Sequence, residues 1–431
     1  MKKYTKILIL VVLSLIVFTG CKKDDTNTQN GNGSGEDQVT LIWWNLFESQ
    51  ENVQPLIDAY VAENPNVVIQ YKQQGISGGV TSYRNLLDNA LTDTEKINDP
   101  DIFTVENTWL GKYKEFIASA PEDVIGQDYF NDFYPIIRQD FAKESVLGVP
   151  LYVDTLAVIY NKDKLIEQGY TVPDNDWSEF KNQAINLTKR DSSGKITTAG
   201  FAGGSGSNVQ FNFDIISLLM LQNGADLNSS TVLQNFSTNP EIIDSFDFYE
   251  PLSGTSGSWD DTQKLDVASF LEGRLAMFIA PSWRLNDILI YNEKYNLGLD
   301  IGVAPIPQLS GGDTIHWATY WGQSVSKASP NTKYAWEFVK FLAEPEQLKL
   351  LDKTVKEKGR EVGIFFPRLS QASDISDDTY LRVYSQAIPF AKSWDMKDGY
   401  VIENEFNKYF TEGSNNLSSL ENVINETLTT N

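Results

Sequence analysis

Val39-Thr40-Leu41-Ile42-Trp43-Trp44 begins the folded part of the chain, and the stretch from there to Val105 decides the fold. A run of apolar and β-favouring residues without a charge reads as a buried strand. Val53, Leu56, Ile57, Tyr60 and Val61 then recur at i, i+3, i+4, i+7 and i+8, the stripe of a helix with one apolar face. Asn64-Pro65 stops that helix, since proline lacks the backbone donor and clashes with the preceding turn. Val67-Val68-Ile69-Gln70-Tyr71 makes a second strand. Tyr83, Leu86, Leu87, Ala90 and Leu91 repeat the helical stripe, and Asp101-Ile102-Phe103-Thr104-Val105 gives a third strand. Strand, helix, strand, helix, strand is the pattern of an α/β parallel sheet, because parallel neighbours need a crossover and the helices cover the faces.

Further along, Gly148-Val149-Pro150-Leu151-Tyr152 precedes an apolar strand, Leu156-Ala157-Val158-Ile159-Tyr160. Asp176-Trp177-Ser178-Glu179-Phe180 reads as a helix start, and Gly200 to Gly206 as a loop. Ala335, Phe338, Val339 and Leu342 mark a helix ended by Glu344-Pro345. Leu417, Leu420, Ile424 and Leu428 mark a last one. With 431 residues the chain exceeds what one hydrophobic core of about 250–300 residues holds, so two lobes are expected. The 41% hydrophobic content is that of a globular protein and not of a disordered one.

Ahead of this, Lys2, Lys3 and Lys6 are followed by Ile7 to Phe18, 12 apolar or near-apolar residues. A membrane span needs about 20, so this run reads as a signal-peptide core. Small Thr19 and Gly20 then lead to Cys21, the only cysteine. The segment resembles a bacterial lipoprotein signal, with Phe18 where that motif usually has leucine. The resemblance implies lipid attachment at Cys21 and a place outside the cytoplasm, anchored to the cell membrane. Lys22 to Gln38, with Gly-Asn-Gly-Ser-Gly at 31–35, reads as a flexible tether. The expected layout is thus a signal over 1–20 and a tether over 21–38. A single cysteine allows no internal disulfide.

Removing residues 1–20 takes 3 of the 35 basic side chains and none of the 58 acidic ones, which leaves a charge of 32 − 58 = −26. Nucleic-acid binding rests on clustered Lys and Arg, so that class is excluded. The one histidine, His316, removes most hydrolytic and metal constellations: there is no His-Glu-x-x-His, no Cys/His cluster and no Gly-x-Ser-x-Gly. No metal or cofactor is expected. Paired carboxylates could still serve a glycoside hydrolase, and 58 acids guarantee some close pairs.

Binding is what remains. The chain has 10 Trp, 19 Tyr and 23 Phe, several at predicted strand ends. A sugar offers apolar C–H faces for an aromatic ring and a rim of hydroxyls for Asp, Glu, Asn and Arg. In open α/β sheets ligands sit beyond the carboxyl ends of strands. That rule selects Trp44, Asn45 and Glu48 after the first strand, and Glu106, Asn107 and Trp109 after the third.

The segments Glu63-Asn64-Pro65-Asn66-Val67, Asp99-Pro100-Asp101-Ile102, Gly148-Val149-Pro150, Ile159-Tyr160-Asn161-Lys162-Asp163 and Asp176-Trp177-Ser178-Glu179-Phe180 follow one another in order. Phe270-Leu271-Glu272-Gly273-Arg274-Leu275-Ala276-Met277, Gly302-Val303-Ala304-Pro305-Ile306-Pro307 and Ala335-Trp336-Glu337-Phe338-Val339-Lys340-Phe341-Leu342 complete the series. Together they resemble the extracellular solute-binding proteins of ABC importers, in particular the carbohydrate-binding group that includes maltose-binding protein. The resemblance covers roughly residues 40–370. It implies a two-lobed periplasmic-binding-protein fold, each lobe a mainly parallel sheet flanked by helices, with the ligand cleft between lobes. The lobes are expected over 39–149 plus about 313–350, and over 150–312 plus about 351–431. The chain would cross near Pro150, near Pro305 and around 350–365.

The resemblance also implies site residues. Trp283 matches the aromatic that stacks on the sugar. Asp154, with Tyr152 beside it, matches a carboxylate near the hinge, and Glu48 the polar position after the first strand. Tyr320 and Trp321 return to line the cleft, and Arg368 lies where a crossing approaches the ligand. Arg284 is expected to pair with an acid. The implied partners are a carbohydrate and ABC permease subunits, with the protein a monomer that captures its ligand by hinge closure. A polyamine or polyol ligand, or a lipid-anchored hydrolase, stays open as an alternative.

Overall fold

A computed structural model of the chain describes residues 38–75, 79–92, 99–204, 206–413 and 416–429. The signal segment, Cys21 and the tether up to Asp37 lie outside the described residues. From Val39 the chain forms β1 (Val39–Asn45), a helix over Gln50–Glu63, β2 (Val67–Gln73), a helix over Gly79–Thr92 and β3 (Ile102–Glu106). β1 pairs in parallel with both β2 and β3, as the opening stretch requires. Val53, Leu56, Ile57 and Tyr60 are buried on the first helix, and Tyr83, Leu87, Ala90 and Leu91 on the second, while Leu86 faces out.

The chain then adds β4 (Val149–Pro150) and leaves for a second sheet. That sheet contains β5 (Leu156–Asn161), β6 (Lys189–Arg190), β7 (Ile196–Phe201), β8 (Leu275–Pro281) and β9 (Ile301–Ala304), in the order β6-β7-β8-β5-β9. Gly200 belongs to β7 and not to a loop. A Cβ there would stand 1.8 Å from the Ala184 carbonyl oxygen, so only glycine lets the helix Trp177–Leu187 lie on this strand. That helix starts where the motif predicted, with the Asp176 carboxylate accepting from the N–H groups of Ser178 and Glu179. After β9 come β10 (His316–Trp317) and β11 (Trp321–Val325). β11 rejoins the first sheet, whose order is β2-β1-β3-β11-β4, and β10 pairs with β12 (Ala391–Lys392).

The two lobes stand as expected, but strand direction needs a correction. β5 is antiparallel to β8 and β9, β11 to β3 and β4, and β6 to β7. In the second sheet only β7 and β8 pair in parallel. The cause for β5 and β11 is the crossing itself. β1, β3 and β8 end at the cleft, so a chain arriving from the other lobe enters at that end and must run away from it.

The third crossing also falls later than 350–365. Helix Pro345–Glu357 packs on helix Gln50–Glu63, and Lys349 pairs with Asp374 at 3.0 Å. The N–H groups of Glu361 and Val362 touch the second lobe, donating to the Asn286 side chain at 2.9 and 3.1 Å, but the flanking stretches through Ile375 stay with the first sheet. The chain reaches the second at helix Leu381–Ala387, which packs on β5. A helix over Gly399–Glu412 then packs against both the helix Asn212–Gln222 and the tight turn Asn107–Trp109 that follows β3. Two glycines permit this approach: a Cβ at Gly111 would meet the Met396 carbonyl oxygen at 2.1 Å, and one at Gly399 the Thr108 carbonyl oxygen at 2.5 Å.

Candidate functional site

On the second lobe, β8 ends at Pro281 and runs directly into the helix Ser282–Lys294. The first N–H groups of a helix have no partner within it and carry partial positive charge. Asp154, from the crossing after β4, supplies the acceptor. Its carboxylate takes the Ser282 N–H at 3.1 Å, the Ser282 hydroxyl at 2.8 Å and the Thr155 N–H at 2.8 Å. Burial raises its pKa to about 6 against the pull of these donors. This anchor fixes Trp283, which is 49% exposed. The Phe211 ring meets the indole at 72° with centroids 5.8 Å apart, and the Arg284 guanidinium stacks 4.3 Å from its centroid. Arg284 also pairs with Asp287 at 2.8 Å.

On the first lobe, the Asn45 side-chain oxygen accepts the Phe47 N–H at 3.1 Å and shapes the loop after β1. Glu48 is buried, and its carboxylate accepts from Arg360 at 2.9 Å and Asn52 at 2.8 Å. Trp321 opens β11 opposite Glu106 in the ladder. Its ring meets Phe47, Trp109 and Tyr83 at steep angles, with centroids 5.1, 4.9 and 6.4 Å away.

Between these walls stand three carboxylates from distant parts of the chain: Glu106 at the end of β3, Asp214 on the helix Asn212–Gln222, and Glu403 on the helix Gly399–Glu412. Asp214 accepts from the Trp317 indole at 2.8 Å and the Thr319 hydroxyl at 2.9 Å. Burial pushes all three pKa values up, and the negative charge of the neighbouring carboxylates raises Glu106 and Glu403 further. Glu403 reaches about 8, so it holds a proton at neutral pH. A protonated carboxyl offers both a donor and an acceptor, the pair a sugar hydroxyl uses. Tyr152 completes the circuit: burial raises its hydroxyl pKa, with Glu48, Arg360 and Asp154 as its charged neighbours. Tyr152 thus has Glu48 and Asp154 as charged neighbours, Asp154 anchors the turn that carries Trp283, Trp283 meets Phe211, and Glu106 feels the charges of Asp214 and Glu403.

Residues 46–349 match the family described as bacterial extracellular solute-binding protein, well over half of the chain. The chain belongs to this family. A maltotriose-binding protein of Pyrococcus abyssi is 25% identical over 374 residues, covering 83% of this chain and 73% of its own. A multiple sugar-binding protein of Streptococcus mutans is 23% identical over 356 residues, 79% of each chain. The sugar-binding protein MalE of Xanthomonas citri has the same fold, with a TM-score of 0.71 at 18% identity over 90% of this chain and 96% of that one. A cyclo/maltodextrin-binding protein complexed with maltotetraose gives 0.69 at 16% identity, over 92% and 99%.

Within this member of the family, several expected site residues are structural. Arg368 is buried. Its guanidinium lies over the rings of Tyr129 and Phe133 and donates to the Ala343 carbonyl at 2.7 Å, the Tyr129 hydroxyl at 2.6 Å and Asp132 at 3.2 Å. With Glu344 at 3.6 Å besides, it rivets the first lobe and does not face the cleft. Tyr320 is buried and donates its hydroxyl to Asp140 at 2.8 Å. Asn107 is spent on Asp140 and on the Tyr320 N–H, at 3.0 and 3.1 Å. Trp44 and Trp109 are core side chains whose indole N–H groups are buried without a partner. Asn45 and Asp154 shape the site, with their acceptors directed to backbone N–H groups. Trp283 stands half-exposed on the second lobe, Trp321 and Glu106 pair in the ladder of the first, and Glu48 is a charged neighbour of Tyr152.

Phe47, Asp214 and Glu403 were not singled out from the sequence. Phe47 carried a signal, two residues beyond Asn45 at a strand end; the acids sit in helices and carried none. His316 is buried, which lowers its pKa to about 4, as suits a packing residue. Two cavities, of about 540 Å³ beside Gln139, Gln222 and Lys392 and about 240 Å³ beside Leu91 and Lys327, are lined by neither Trp283 nor Glu106, Asp214 and Glu403. Among the described residues no group of His, Cys, Asp and Glu could hold a metal ion, and no helix is long and apolar enough to cross a membrane.

Proposed function

We propose that this protein is the substrate-binding component of an ABC importer for a sugar or oligosaccharide. It binds its ligand reversibly by closing the lobes, hands it to permease subunits, and breaks no bond. The observation that carries this reading is Trp283, a half-exposed aromatic fixed by the Asp154–Ser282 anchor, in the same protein as the carboxylate group of Glu106, Asp214 and Glu403. The rings offer a stacking face and the acids a set of hydroxyl partners. The sugar-binding relatives support the same ligand class. We further propose that Cys21 carries the lipid, that the protein works as a monomer on the outer side of the cytoplasmic membrane, and that the lobes divide as 39–149 with about 313–375 and 150–312 with about 376–431. The later second boundary follows the packing of Pro345 to Ile375.

A second reading, a polyamine, draws on the same three carboxylates. Thermal unfolding against mono- and oligosaccharides and spermidine separates the two, because a ligand that binds the native state raises the midpoint by mass action. The proposal expects a rise with at least one sugar, no new reducing ends on long incubation, and none with spermidine. A rise with spermidine alone replaces the ligand class, and new reducing ends make the protein a hydrolase.

A further inference from the structure

The helix Gly399–Glu412 belongs to the second lobe along most of its length. Phe406 meets Phe213 and Phe236 with ring centroids 5.3 and 5.9 Å apart, Phe410 stacks on Phe246 at 5.9 Å, and the Tyr409 hydroxyl donates to Glu250 at 2.6 Å. Its first turn is held by the first lobe instead. Asp398, which caps the helix through the Val401 N–H at 3.2 Å, accepts from Arg84 at 2.7 Å and lies 3.6 Å from Lys112. The Arg84 guanidinium also lies 4.3 Å from the centroid of the Tyr400 ring, and the Tyr400 hydroxyl donates to Thr81 at 2.9 Å. Trp109 meets that ring at 86° with centroids 5.9 Å apart. Lys112 is fixed on its own lobe by Asp88 at 2.9 Å, which accepts from Tyr113 at 2.7 Å as well.

The pivot of the lobes lies elsewhere. Thr155 bridges Ala318, and the Ala318 N–H donates to the Lys392 carbonyl at 3.1 Å, so the three crossings run side by side there. Arg84, Lys112 and Trp109 meet Asp398 and Tyr400 beyond that pivot, next to the cleft end of β3, since Trp109 and Lys112 follow Glu106 within six residues. A contact between lobes on the cleft side of the pivot is made on closing and broken on opening. We infer that Asp398 and Tyr400 form a latch on the first lobe, which holds the cleft shut by protein contacts alone and sets how much of the protein stands open to receive a ligand. The inference rests on the lobe closure of the reading above, and not on the identity of the ligand. Affinity follows the population of the competent closed state, so loosening the latch weakens binding although the bonds lost join protein groups only.

Small-angle X-ray scattering and calorimetric titration of the wild type, Asp398→Asn and Arg84→Gln test this. Asparagine keeps the helix cap and removes the charge. Without ligand both variants are expected to show a larger radius of gyration than the wild type, and with the tightest sugar at saturation all three return to the same value. Sugar affinity falls by about threefold to fivefold in each variant, the size of a well-shielded ion pair. An unliganded radius equal to that of the wild type, or an affinity that does not fall, overturns the inference; a lower unfolding midpoint alone makes the bonds merely structural and overturns it too. Binding by no sugar overturns the sugar reading, and the scattering without ligand then decides the latch by itself.

Discussion

Trp283→Ala is the perturbation whose size the structure fixes best. A tryptophan presents up to about 250 Å² of surface, and 49% of it is exposed here, which leaves roughly 120 Å² for a ligand to cover. At about 25 cal/mol per Å² that sets a ceiling near 3 kcal/mol. A sugar covers one face of the ring, about half of that area, so the loss is about 1.5 kcal/mol, or roughly tenfold in affinity. The fold depends on this side chain much less. Its aromatic and cation contacts are the edge of Phe211 and the guanidinium of Arg284, the latter still paired with Asp287. The unliganded midpoint should fall by no more than about 4 °C. Titration calorimetry on both proteins with the tightest sugar, beside a thermal scan without ligand, reads the two effects apart. An affinity unchanged within twofold, in a variant that folds normally, removes Trp283 from the site.

Two further predictions separate the site from its scaffold. Glu403 has its pKa raised from 4.5 to about 8, so between those values the native state keeps a proton that the unfolded chain has lost. Stability then falls as pH rises through that window. Glu403→Gln should match the wild type below pH 4.5 and exceed it at pH 8 by at least about 1 kcal/mol, one pKa unit being 1.36 kcal/mol; urea unfolding at both pH values checks this, and a difference independent of pH refutes it. Arg368→Ala leaves the Ala343 carbonyl without its donor, while Asp132 keeps its bonds from Ser370, and should cost about 2 kcal/mol of stability while sugar affinity stays within twofold. A large affinity loss without a stability loss would return Arg368 to the cleft.

What the sequence made legible, and what it did not, divides by distance along the chain. β1 to β3 were readable because helical stripes, alternating runs and Pro65 act over a few residues. Asp176 announced its helix in the same way. Trp283 was singled out through the resemblance carried by a local segment, Phe270 to Met277, followed by a strand end. Arg368 was misplaced because its partner Asp132 lies 236 residues earlier, and no local pattern reports such a pairing. Glu403 looked like any acid on an amphipathic helix; what sets it against Glu106 is the contact of Gly399 with Thr108, a tertiary fact. Strand direction failed where a crossing intervened, since β5 and β11 have the composition of buried strands whichever way they run.

The most direct test of the account is a crystal structure of the protein with the sugar that most raises its unfolding temperature. The account predicts a pyranose ring stacked on Trp283 with hydroxyls on the carboxylates of Glu106, Asp214 or Glu403. Sugar seated instead in the cavity beside Gln139 and Lys392, with Trp283 uncovered, would contradict it.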